Sequence, residues 1–193
     1  MTQSAPTAPP LPAEQGVPIM DIAEFRARYP AWLDTVRPLL EAKNWKDAFL
    51  TYPFPVHDQA PWTPMTRPLA ECRVAMLSTA GLYVKDDQPR FKAEHIEGDW
   101  TLRELADEVP LAALDIAHTH YDNARAREDV NCVYPLERLR ELAAAGVIGG
   151  LATRHYSISG YCTRADWITE RTAPQVVERL QADRVDVLLH IPV

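Results

Sequence analysis

Proline sets the first limit on how this chain can fold. Twelve of its 17 prolines lie in the first 68 residues. Each lacks an amide donor and fixes φ, so helix interiors and central strands are hard to build there. Residues 1–19, rich in Pro, Ala, Ser and Gln, read as a disordered tail. Residues 20–70 read as N-terminal helices and a Pro-rich arm. Asp21 and Glu24 have the spacing of a capping box for a helix with an Ile22, Phe25, Tyr29 stripe. Pro30 suits the first turn of a second helix that carries Trp32, Leu33, Val36, Leu39 and Leu40. From Tyr52 to Pro68 the recurring prolines predict an extended arm, laid over the body or over a second subunit.

Residues 71–193 read as an α/β domain. Arg73 to Leu77 is an apolar, β-prone run that enters the small-residue turn Ser78-Thr79-Ala80-Gly81, as a buried parallel strand would. A long loop with Asp86, Asp87 and Pro89 follows. Residues 111–121 predict a short helical turn feeding a second strand over Ile116 to His120. Pro135 to Ala145 is the clearest helix: its proline opens the first turn, Leu136, Leu139 and Leu142 form a stripe, and Gly146 suits the position just past the end. A third strand is predicted at Val147 to Leu151, a helix at Asp166 to Ala182 and a last strand at Val185 to Ile191. Strands alternating with helices predict a parallel sheet flanked by helices, Rossmann-like or flavodoxin-like.

The net charge of −7 gives no support to a nucleic-acid role, which needs a basic face. No apolar run is long enough for a transmembrane helix, and the start lacks a signal-peptide pattern. Cys72, Cys132 and Cys162 contain no C-x-x-C pair, which argues against a disulfide framework or structural zinc and for a cytoplasmic location. Cys72 and Cys132 read as small buried hydrophobes. Cys162 has only Arg164 nearby to lower its pKa.

Ligands of such sheets bind beyond the carboxyl ends of the strands, and three polar clusters fall at the predicted ends. Ser78-Thr79-Ala80-Gly81 could offer backbone N–H groups to an anion, although any tight turn has this composition. On a continuing strand His118, His120 and Asp122 would share one face. They could relay protons, touch substrate or hold a divalent metal, or the histidines could simply cap the strand. Arg154-His155-Tyr156-Ser157, beside Gly149, Gly150 and Gly160, suits a binding loop in which Arg154 clamps a carboxylate. The alternative is an Arg154 paired with one of the chain's acids. No cofactor is evident; a divalent metal and a small-molecule substrate remain open.

Residues 61–83 (PWTPMTRPLAECRVAMLSTAGLY), 98–100 (GDW), 118–122 (HTHYD), 131–151 (NCVYPLERLRELAAAGVIGGL) and 154–160 (RHYSISG) together resemble the selenoprotein B family of the glycine, sarcosine, betaine and D-proline reductases. The resemblance implies a reductase, or a subunit of a reductase complex, that cleaves a C–N bond of an amino-acid-like or amine substrate with a thiol or selenol. Carried over by position, Thr79, Gly81, His118, His120, Asp122, Arg154, His155 and Tyr156 surround the pocket. Family members continue past the last strand into a Cys- or selenocysteine-containing segment, whereas this sequence stops at His190-Ile191-Pro192-Val193. The expectations are a frame ended at a selenocysteine codon, or a short paralogue whose missing sheet half comes from another chain. Self-association is expected of an uncovered sheet edge. A metal-dependent lyase or hydrolase built on His118, His120 and Asp122, and a non-catalytic oligomeric scaffold, are the alternatives.

Overall fold

Residues 22–53 and 63–193 are described by the computed structural model. The tail, Asp21 and the middle of the Pro-rich arm lie outside these residues. The chain forms two compact units, one ending at Pro64 and the other beginning at Met65. Among the described residues no helix is long and apolar enough to cross a membrane.

In the first unit, α1 (Ile22–Glu41) runs through Pro30 and Pro38 as one helix, where the sequence predicted a break before Pro30. Proline's fixed φ is itself helical, and packing offsets the missing N–H bonds. That packing joins Trp32 and Val36 to Ala48 of α2 (Trp45–Phe49), with Trp32, Phe49 and Tyr52 in ring contact.

The second unit is built on β1 (Arg73–Ser78), the strand predicted from its apolar run. β2 (Leu82–Val84) pairs antiparallel with β4 (Leu114–Ile116) in a separate two-stranded sheet. The predicted strand at 116–120 is thus shorter, earlier and outside the main sheet. β3 (Arg103–Ala106), absent from the sequence reading, pairs antiparallel with β6 (Arg154–Ser157). The main sheet is therefore mixed rather than wholly parallel. β5 (Gly150–Leu151) and β6 make one interrupted line along β1, and β7 (Val187–Ile191) lies parallel on its other side. β1 advances from Arg73 to Leu77 while its partner advances from Gly150 to Tyr156, so the partner line holds two extra residues, at Ala152 and Thr153.

Side-chain alternation gives the sheet two differently used faces. Val74 and Met76 pack with Leu105, Ile148 and with Leu136 and Leu139 of α4 (Leu136–Ala144). Burying each leucine contributes about 2 kcal/mol. Leu142, the third residue of the predicted stripe, stays exposed. Gly146 closes α4 at φ +69°, as its position in the sequence foretold. The opposite face carries Arg154 and Tyr156. On that side, α5 (Ala165–Trp167) continues through a π-helical turn (Ile168–Thr172) into α6 (Ala173–Ala182). Its end reaches the sheet through Arg154, which binds Asp183, and Arg179, which binds Glu104.

Candidate functional site

The carboxyl ends of β1 and β7 meet at Thr79. Its N–H donates to Ile191 O at 3.1 Å, and its Oγ1 accepts the Val193 N–H at 2.8 Å. Ser78 Oγ donates to Val133 O at 2.8 Å and accepts the Ala80 N–H, which fixes the turn. Gly81 follows at φ +71°; a Cβ there would stand 2.6 Å from Ala117 O. Its N–H bonds Ile158 O, and its carbonyl accepts from Ala117. Gly81 thus draws the segments after β4 and after β6 onto the end of β1, which is what places His118.

His118 is 6% exposed. Its Nδ1 accepts the His120 N–H at 3.1 Å. A backbone N–H can only donate, so in the neutral ring the hydrogen sits on Nε2. That atom is buried without a partner among the described residues. It faces Gly160: a Cβ on that glycine would lie 3.0 Å from His118 Nε2, 3.0 Å from Thr79 O and 3.3 Å from Thr79 Oγ1. A side chain there would be crowded by that donor and the two oxygens, so a bare Gly160 lets the backbone lie close against the ring. Burial, followed by the neighbouring His120, holds the His118 pKa below the usual histidine value. Asn123 Nδ2 donates to His118 O, and the Tyr121 ring lies across His118 with centroids 4.9 Å apart.

His120 lies at the rim, stacked on Tyr161 with ring centroids 3.7 Å apart, and Tyr161 OH donates to Ile96 O. Asp122 caps the following turn by accepting the Ala124 N–H. The strand predicted to align these side chains ends at Ile116, so they belong to a turn and not to one strand face. Among the described residues, no three His, Cys, Asp or Glu side chains are grouped as a metal site. Of the His118–His120–Asp122 set, His118 Nδ1 and one Asp122 oxygen serve backbone N–H groups.

The second predicted half of the pocket lies elsewhere. Arg154–Ser157 is strand β6 and not a loop. Arg154 donates two 2.8 Å bonds to Asp183 and approaches Glu104 at 3.3 Å, so a residue of the chain itself fills the expected carboxylate clamp. His155 is fully buried. Its Nδ1 accepts the Met76 N–H at 3.1 Å, and its Nε2 stands 3.6 Å from Asp107. Tyr156 is buried, with no partner for its hydroxyl among the described residues. Ser157 Oγ accepts the Leu82 N–H at 2.8 Å, tying β6 to β2. The structure therefore brings together Thr79, Gly81, His118 and His120, and leaves Arg154, His155 and Tyr156 inside the sheet. Ser159, Gly160, Tyr161 and Asn123 lie at the same end; the run Ser157 to Gly160 was the one sequence signal for the first two.

The cysteines are placed unequally. Cys72 is buried as predicted, but Cys132 is exposed, at the end of the 3₁₀ turn Val130–Cys132. Cys162 is half-buried, and burial raises its thiol pKa, so its thiolate is disfavoured.

Burial also keeps His155 below the usual histidine pKa, with Asp107 opposing in part. A depressed folded-state pKa means that the unfolded chain takes up these protons first. Stability is therefore fully present above the unfolded value of about 6.5 and falls as pH drops below it. Urea unfolding at pH 7.5, 6.5, 6.0 and 5.5 is expected to show a loss approaching about 1.4 kcal/mol per pH unit for each buried histidine. A flat profile over that range would contradict the assignment of neutral, buried rings.

The class defined by this arrangement is an α/β protein with a mixed sheet and a polar cluster where its parallel strands end. The family model described as glycine/sarcosine/betaine reductase selenoprotein B matches residues 35–191, and the chain belongs to this family. It is 30% identical over 135 residues to the D-proline reductase subunit gamma of Acetoanaerobium sticklandii, covering 70% of this chain and 54% of that one. It is 30% identical over 111 residues to the sarcosine reductase complex component B subunit beta of Peptoclostridium acidaminophilum, covering 56% and 25%. Over 145 residues it is 28% identical to the glycine reductase complex component B subunit gamma of Symbiobacterium thermophilum, covering 72% and 32%. The chain thus spans about half the length of the first relative and a third or less of the others. No solved structure matches.

Proposed function

We propose that this chain is a subunit of a cytoplasmic reductase complex that binds an amino-acid-like or amine substrate at the end of the sheet marked by Thr79, Gly81, His118 and Gly160. The observation that carries the reading is the buried, unpartnered His118 Nε2–H beside the bare Gly160. An unpaired buried donor costs about 1–3 kcal/mol, which a substrate carboxylate or oxyanion would recover by accepting its hydrogen bond. His120, at the rim, is the proton-transfer group, and the relatives' names supply the substrate class. Burial disfavours the Cys162 thiolate and Cys72 is buried, and in this reading the thiol or selenol for reductive cleavage comes from outside the described residues. The parallel strands also stand in the spatial order second–first–third, with Thr79 at the junction of first and third. This supports a flavodoxin-like reading, since ligands of such sheets bind where the order reverses.

The test is calorimetric titration of the purified chain with D-proline, glycine, sarcosine and betaine, followed by reductase assays after mixing with a candidate partner subunit. His118→Phe and Gly160→Ala are expected to weaken binding about tenfold or more, because one removes the donor and the other sets a Cβ 3.0 Å from it. Unchanged affinity in both variants, or no binding of any of the four compounds, would reject the site. Stoichiometric zinc or iron in the purified protein would favour the metal-dependent lyase or hydrolase reading instead.

A further inference from the structure

We propose that the opposite end of the sheet holds a second site, for inorganic phosphate or a phosphate monoester, formed by Arg67, Arg73 and Arg184. These three arginines line one open cavity of about 500 Å³, together with Glu71, Gly149 and Asp186. It lies at the amino end of β1, about 20 Å along the strand from Thr79. Neither end of the sheet shares a lining residue with the other.

Arg184 is the informative residue. It sits just past α6 at φ +54°, where its N–H bonds Gln181 O and the Val185 N–H bonds Leu180 O. Helices that close this way favour glycine at that position, because a side chain there is strained. α4 obeys the rule with Gly146. α6 instead keeps a long cationic side chain, for which the structure gives no partner among the described residues. A cation also suits a helix carboxyl end, and Lys43 holds the equivalent place after α1. What sets Arg184 apart is the company it keeps in the cavity.

The other two guanidinium groups are held in place. Arg73 Nη1 donates to Asp183 O at 2.6 Å, and Arg67 stands 3.5 Å from Asp186 Oδ1. Asp186 Oδ2 accepts the Arg73 N–H at 2.8 Å, so this carboxylate is a buttress rather than a free repelling charge. Three arginines against two acids leave the cavity cationic on a chain of net charge −7. At physiological salt, distant charges are screened beyond about 8 Å, and the local sign decides. Guanidinium forks match the several oxygens of a tetrahedral dianion better than one planar carboxylate, which a single arginine satisfies.

The experiment is titration of the full chain with sodium phosphate and with glycerol phosphate, read by calorimetry and thermal unfolding. Sodium chloride at matched ionic strength and succinate are the comparison solutes. Saturable phosphate binding is expected. R184G is expected to weaken it about tenfold or more. Without phosphate the same variant should unfold at an equal temperature, or one higher by up to about 4 °C, since glycine relieves the backbone. R67Q, which leaves the backbone alone, should also weaken binding. The proposal is overturned if R184G and R67Q bind phosphate as the parent does, if chloride gives the same thermal shift, or if succinate binds while phosphate does not.

Discussion

Gly98→Ala is expected to destabilise the second unit by about 3 kcal/mol or more. Two costs combine. Gly98 lies at φ +72°, a conformation that an L side chain resists. A Cβ there would also fall 2.0 Å from Tyr161 O and within 2.9 Å of two further backbone atoms. Backbone atoms cannot swing aside as the end of a side chain can, so the 161–162 segment must move. The bridge between Gly98 and Cys162 and the Asp99 N–H bond to Tyr161 O would be lost with it. Urea unfolding measures the loss. Gly146→Ala is the control: φ is similar, +69°, but nothing lies within 4 Å of the added carbon, so about 1 kcal/mol is expected. Equal losses in the two variants would show that the predicted overlap is relaxed away.

His155→Leu is expected to lower stability by about 3 kcal/mol at pH 7.5, while making the acid side of the stability profile shallower. Leucine fills a similar volume, so lost packing is small. The Met76 N–H, however, is left in the core without its acceptor, and Asp107 loses its nearest imidazole. The shallower acid limb follows because one buried neutral ring no longer resists protonation in the folded state. A variant as stable as the parent, or one with an unchanged acid limb, would mean that His155 neither anchors β1 nor governs the pH response.

The same histidine shows why the sequence was readable in some places and opaque in others. β1, α4 with Gly146, α6 and β7 announce themselves because apolar runs, stripes and end signals agree. Arg154-His155-Tyr156-Ser157 is polar at every position and looks like a loop. It is nevertheless a central strand, because Asp183, the Met76 N–H and the Leu82 N–H bond three of its four side chains. Those partners come from distant parts of the chain and leave no local pattern. β2 and β3, of three and four residues, are too short for periodicity to register. Of the expected pocket, Thr79, Gly81 and His118 were legible because a turn of small residues at a strand end is a local feature. The distance between them and Arg154 was not, since it depends on β6 joining the sheet by its whole length.

The pair Ala152–Thr153, by which the β5–β6 line outruns β1, constrains how this part of the chain can change in length. Two is an even number, so the inward and outward sides of the line stay in phase across the interruption. Removing a single residue there would present the Arg154 guanidinium to the leucines of α4 and turn His155 toward α6. Insertions and deletions at this point should therefore be tolerated in twos, and the interruption acts as a spacer that adjusts reach without exchanging the two faces of the sheet.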